Sequence, residues 1–175
     1  MIIGITGRSG AGKDVVGSFI TSHGFSRLAF AGQVKHMCSV IFDLDMKYFC
    51  DPKLKDKMNM RYGKTPRQLM QTFATDFIRD KIDSNFWIHR IESFLDGDIV
   101  ITDVRFDNEL DMVKREGGII IRVERNGGRD DDHISEIVPK YADYVISNNS
   151  DLDSLKMQVD RLMKKIVNKK RSTKV

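Results

Sequence analysis

Gly7-Arg8-Ser9-Gly10-Ala11-Gly12-Lys13-Asp14 is the segment whose residue types and spacing most plainly suit chemistry. A G-x-x-x-x-G-K spacing lets the backbone curl until consecutive N–H groups face one anion, because glycine adopts turns that a Cβ forbids. Lys13 then reaches the β- and γ-phosphates of a nucleotide. A helix starting at this point adds a partial positive charge worth up to about 1 kcal/mol. Gly7, Arg8, Ser9, Gly10, Ala11, Gly12, Lys13 and Asp14 are therefore the expected ATP-binding residues. A Ser or Thr usually follows the lysine and ligates Mg²⁺. Asp14 stands there instead, and would hold the ion directly, hold it through water, or bond the loop backbone. It also brings negative charge close to the phosphates.

A second carboxylate closes an apolar run. Ile99-Val100-Ile101-Thr102-Asp103-Val104-Arg105-Phe106 reads as a buried strand with an acid and a guanidinium at its end. Phosphoryl-transfer sites place there the acid that binds Mg²⁺ or its waters. Asp14 and Asp103 are thus the expected metal residues. Arg105 is set for phosphate or sugar, and Asn108 and Glu109 lie within one turn beyond. A simpler reading keeps Asp103 or Asp107 as a cap for the next helix.

Acceptor recognition is expected from the helix that Thr65-Pro66-Arg67-Gln68 begins. Thr65 caps, Pro66 suits the first position, and Gln68 completes a capping box. Leu69, Met70, Phe73 and Phe77 follow helical spacing toward a core. Gln68, Thr72, Thr75, Asp76 and Arg79 form a second stripe at steps of three and four. That stripe is polar but lightly charged, which suits a half-buried wall reading a ligand by hydrogen bonds. A solvated face is the plainer alternative. Arg67 and Arg79 offer bidentate forks for an acceptor phosphate. Phe86 and Trp87 suit either base stacking or plain core.

Arg125-Asn126-Gly127-Gly128-Arg129-Asp130-Asp131-Asp132-His133 has the glycines and charge of a mobile loop. The lid is expected over about residues 125–136, with Arg125 and Arg129 neutralising charge during transfer and closure keeping water out. His133, Ser135 and Glu136 would contact acceptor or nucleotide. The expected catalytic set is Lys13, Asp103, Arg105, Arg125 and Arg129. A solvated charged turn remains the alternative for the loop.

These side chains need a scaffold. Strands are expected at Ile2–Thr6, Arg27–Phe30, Asp98–Thr102, Ile119–Val123 and Tyr144–Ser147. Helices are expected over 13–22, 34–44, 65–82, one capped by Ser84, 108–116 stopped by Gly117-Gly118, and one capped by Asp151. The stretch Asp45–Lys64 is polar, lysine-rich and weakly periodic, and is expected to be irregular. Strands alternating with helices predict an α/β fold with three layers: a central, mostly parallel sheet, helices on both faces and a small mobile lid. Ligands collect at the carboxyl ends of such strands.

The 175 residues fit one domain, taken as 1–167 with a basic tail over 168–175. A formal charge of +4 is mild and raises the local concentration of anionic substrates. Cys38 and Cys50 form no metal-binding pattern and suggest a reducing compartment. No signal peptide or apolar run of about 18 residues is present, so a cytoplasmic protein is expected, without membrane or specific nucleic-acid partners. A homodimer is left open.

Together these pieces resemble the deoxynucleoside monophosphate kinases of bacteriophages. The likeness rests on four pieces. They are Gly7 to Asp14; Thr65-Pro66-Arg67 with Gln71, Thr75-Asp76 and Arg79; Asp103-Val104-Arg105-Phe106 with Asn108-Glu109; and His133 with Ser135-Glu136. The resemblance implies a nucleoside-monophosphate-kinase-like fold with a P-loop. It implies transfer from ATP, with Mg²⁺, to a deoxynucleoside monophosphate for DNA synthesis. Arg67, Gln68, Gln71, Thr72, Thr75, Asp76, Arg79, Trp87, Arg105, Glu109, His133 and Glu136 form the acceptor set under this reading. Two alternatives stay beside it: a related kinase for dephospho-coenzyme A or phosphomevalonate, and a nucleotide-binding module without kinase chemistry.

Overall fold

The computed structural model describes residues 1–127, 139 and 141–172. Two compact units occur, Met1–Leu28 with Leu95–Val175, and Ala29–Phe94.

The first unit is built on five strands: β1 (Ile2–Thr6), β2 (Ser26–Leu28), β3 (Ile99–Ile101), β4 (Ile119–Glu124) and β5 (Tyr144–Ser147). Their order is β2-β3-β1-β4-β5, and every pairing is parallel. The apolar, β-branched composition of β1, β3 and β4 suits strands buried on both faces. Ile3 and Ile5 pack with Val16 and Ile20 of α1 (Lys13–Thr21) and with Leu155, Val159 and Met163 of α8 (Leu152–Ser172). The opposite face receives α7 (Asp107–Arg115). There Gly4 is needed for space, since an added Cβ would lie 2.9 Å from Ile120 Cδ1 and 3.3 Å from Val113 Cγ2. The result is helix, sheet, helix, as the alternating pattern predicts.

All strands run the same way, so their carboxyl ends share one edge. The phosphate loop follows β1, Asp103 follows β3, Arg125 follows β4 and Asn148 follows β5. Local signals set the helices that leave this edge. Asp151 caps α8, its Oδ1 accepting the Ser154 N–H at 2.7 Å. Gly117 has φ +65°. Its N–H donates to Lys114 O and that of Gly118 to Val113 O, which closes α7 in a Schellman turn.

Lys114, Tyr141 and Asp143 pin β5 to its neighbours. Lys114 Nζ donates to Tyr141 Oη and Asp143 Oδ1, both at 3.0 Å. Tyr141 Oη donates to Asp143 Oδ1 at 2.6 Å, and Asp143 Oδ2 accepts the Ile120 N–H at 2.8 Å. Burial pushes the Asp143 carboxyl up, but the Ile120 N–H, Tyr141 and Lys114 together hold it below its ordinary value. A depressed folded pKa stabilises above the unfolded value, and that contribution vanishes as pH falls through the folded one. Asp143→Asn is therefore expected to cost about 1 kcal/mol at neutral pH. The gap to wild type should shrink below about pH 4, where the unfolded carboxyl takes up its proton. Urea titrations at both pH values check this, and an equal gap at each would remove the ionic role.

The second unit contains α2 (Phe30–Ile41), α3 (Lys47–Cys50), α4 (Pro52–Lys55), α5 (Pro66–Gln71), a π-helical segment (Thr72–Ile82) and α6 (Phe86–Glu92). Several expectations change here. Phe30 opens α2 instead of closing β2. The polar stretch Asp45–Lys64 holds two short helices and an antiparallel bridge between Asn59 and Lys64. Asp51 caps α4 ahead of Pro52, accepting from the Lys53 and Leu54 N–H groups. Phe49 is fully buried, and Tyr62 packs edge-on against Phe42 while donating to its carbonyl at 2.7 Å. Asn85, rather than Ser84, directly precedes α6, and Asp83 Oδ1 accepts the Asn85 N–H.

Cys38 and Cys50 are both free thiols. Burial pushes the Cys38 thiol up to about 12, whereas Cys50 is exposed. Native protein treated with a thiol reagent near pH 8 is expected to gain one adduct, on Cys50, by mass spectrometry. Equal labelling of both would contradict the packing around Cys38.

Candidate active site

The phosphate loop is formed as its spacing predicts. Gly7, Gly10 and Gly12 have φ of +145°, +78° and +97°, and Gly12 immediately precedes α1. A Cβ on residue 7 would lie 2.4 Å from Val123 O. That position therefore requires glycine for space as well as for φ. Lys13 Nζ donates to Gly7 O at 2.7 Å and Arg8 O at 2.9 Å, folded back along the loop it serves. Thr6, the last residue of β1, keeps its hydroxyl fully buried with no hydrogen-bond partner among the described residues.

Asp14 makes an ion pair with Arg27 of β2. The negative charge that Asp14 brings to the end of the loop is thereby offset by a cation of the protein itself. Sequence reasoning passed over Arg27, because this pairing joins a loop to a separate strand and no local pattern marks it.

Asp103 stands two residues past β3, 9% exposed. Phe106 is the residue that precedes α7, so neither Asp103 nor Asp107 stands at the cap position. Glu109 does the structural work there. Its Oε2 accepts the Arg105 N–H at 2.8 Å and the Phe106 N–H at 3.2 Å. Glu109 is 3% exposed, a buried carboxylate that shapes the Arg105 turn. The oxygen donors Asp103 and Asp14 suit Mg²⁺, which takes one or two carboxylates and keeps several waters.

On the second unit, the Thr65 capping box is present. Gln68 N–H donates to Thr65 Oγ1 at 3.2 Å, and Thr65 N–H donates to Gln68 Oε1 at 2.9 Å. Gln68 is thus engaged in the helix start. Arg67 Nε donates to Asp56 Oδ1 at 2.7 Å. Past Gln71 the helix widens to the π form, with each N–H bonded one residue further back. This wider turn moves the buried face. Thr75 and Ile78 are buried, while Phe77, expected in the core, is 52% exposed. Gln71 and Arg79 are half-buried, and Thr72 and Asp76 are exposed. Trp87 is a core residue, 3% exposed. Its Nε1 donates to Ala74 O at 3.0 Å and its ring meets Phe86 edge-on at 4.9 Å, which leaves no face for a base. Arg125 is exposed just after β4. Arg129, His133 and Glu136 lie outside the described residues.

Residues 45–159 match the model of a protein family described as deoxynucleotide monophosphate kinase. The chain belongs to that family. A mimivirus protein carrying the same kinase name, from Acanthamoeba polyphaga mimivirus, is 31% identical over 182 residues. The match covers 91% of this chain and 94% of that one. The deoxynucleotide monophosphate kinase of Enterobacteria phage T4 is 30% identical over 108 residues, covering 56% of this chain and 45% of the phage protein. A solved structure from Thermus thermophilus shares the fold, with a TM-score of 0.52 at 16% identity, covering 94% of this chain and 97% of that one. The chain is a phosphotransferase of the deoxynucleotide monophosphate kinase family, and its phosphate loop lies N-terminal to the matched region.

Proposed function

We propose that this kinase moves the γ-phosphoryl group of ATP onto a deoxynucleoside monophosphate, giving the diphosphate and ADP. A phosphate oxygen of the acceptor attacks the γ-phosphorus, and the bond to the β,γ-bridging oxygen breaks as ADP leaves. The reading is carried by a formed phosphate loop with its lysine in a chain of this family. Lys13 stabilises the charge that moves between the phosphates. Mg²⁺, when bound, would offset the negative charge of the phosphates; Asp103 would hold it or its waters, and Asp14, paired with Arg27, would be a second oxygen donor. Arg105 serves phosphate or sugar. Arg79, half-buried in the π-helical segment, grips the acceptor phosphate, and Gln71, Thr72, Thr75 and Asp76 are assigned with it to acceptor binding. Arg67, bonded to Asp56, supports the same segment. Arg125, exposed just past β4, neutralises charge during transfer.

No helix among the described residues is long and apolar enough to cross a membrane. Small-molecule partners follow from the reaction, as does a cytoplasmic setting where deoxynucleotides are made, that of the host for a viral chain.

Release of ADP from ATP and Mg²⁺ tests the proposal. The monophosphates dTMP, dGMP, dCMP and dAMP are offered in turn, with dephospho-coenzyme A and phosphomevalonate as further arms. Turnover is expected with at least one of the four nucleotides. Turnover confined to the last two, or independent of any acceptor, would overturn it.

A further inference from the structure

Asn148, just past β5, touches the phosphate loop at the Ala11–Gly12 peptide. Its Nδ2 donates to Ala11 O at 2.8 Å. The same nitrogen lies 2.3 Å from where a Cβ on residue 12 would sit. The Asn148 backbone N–H donates to Glu124 O at 2.7 Å, which seats the residue on the end of β4. Next to it, Asn149 Oδ1 accepts the Asn126 N–H at 2.7 Å, and Asn149 Nδ2 donates to Ser147 Oγ at 2.9 Å.

We infer that Asn148 is a positioning residue for the phosphate loop, holding the Ala11–Gly12 peptide so that its N–H faces the nucleotide phosphates. In a trans peptide the carbonyl and the following N–H point in opposite directions across one rigid plane. Fastening Ala11 O to Asn148 therefore aims the Gly12 N–H away from Asn148. Gly12 is strained for other residues by its φ of +97° and by the amide packed against it. An empty loop that keeps this plane fixed loses less entropy when it closes on an anion. Asn149 ties the same corner to Asn126, at the root of the segment that follows Arg125.

This inference rests on the phosphate loop being the ATP site, so the test separates the two. ATP binding is titrated calorimetrically without acceptor for wild type, Asn148→Ala, Asn148→Asp and Lys13→Ala. Asn148→Asp keeps the size of the side chain but sets an oxygen against Ala11 O. It is expected to weaken ATP binding at least tenfold, as much as Asn148→Ala or more, with acceptor KM within twofold of wild type. A packing role predicts the reverse order, with Asp near wild type and Ala impaired, and that order would overturn the inference. So would an unchanged ATP affinity in both Asn148 variants while Lys13→Ala loses binding. If Lys13→Ala also binds normally, the phosphate-loop reading itself fails. Should Asn148→Ala not fold, the near-isosteric Asp variant decides alone, through its ATP affinity against its acceptor KM.

Discussion

Lys13→Ala is expected to lower kcat/KM by roughly a thousandfold, about 4 kcal/mol of lost transition-state stabilisation. Phosphoryl transfer asks little covalent chemistry of the protein, so most of the acceleration comes from placing charge where negative charge gathers. Lys13 is the cation whose ammonium the loop carbonyls already hold. Its present bonds to Gly7 O and Arg8 O hold it at the mouth of that loop. The loop's own shape depends on glycine backbone angles and on Asn148, so the variant should keep its fold and melt within a few degrees of wild type. Stopped assays at saturating ATP separate a chemical defect from weak binding. A variant that turns over near the wild-type rate would remove Lys13 from the mechanism.

Arg79→Ala carries the second large effect, a rise in acceptor KM of about a hundredfold, roughly 3 kcal/mol, with the ATP KM little changed. A guanidinium held half-buried loses little freedom on gripping a phosphate, and its two parallel N–H groups match two oxygens. Arg79→Lys should not restore the KM, because a point charge lacks the fork. A matched rise in both KM values would place Arg79 elsewhere in the mechanism or in the fold alone.

Much of the scaffold was legible because its signals are local. The buried strands carry β-branched runs, the phosphate loop carries its glycines, and Thr65, Asp151 and Gly117-Gly118 announce helix ends by chemistry that acts within about one turn. The polar stretch after Asp45 hid two helices, since one turn of helix leaves no periodicity to read; the Asp51-Pro52 pair was the available sign. Phe77 was misplaced because spacing was counted at the α repeat, and nothing in residues 72–82 warns of the wider turn. Trp87 was ambiguous by type, and only its bond to Ala74 O settles that it is core. The bonds of Glu109 to the Arg105 and Phe106 N–H groups lay within cap reach in the sequence as well. Arg27 and Asn148 could not be found by spacing at all. Each acts on the phosphate loop from a strand or loop distant in sequence, and such pairings become visible only when parallel strands bring their ends together.

The most direct check on the chemistry follows the phosphate itself. ATP labelled at the γ-phosphate is mixed with the protein, Mg²⁺ and the preferred deoxynucleoside monophosphate, and the products are separated. Label should appear in the β-phosphate of the deoxynucleoside diphosphate, and should stay in ATP when the acceptor is left out. Label released only as free phosphate, at the same rate with or without acceptor, would contradict a kinase.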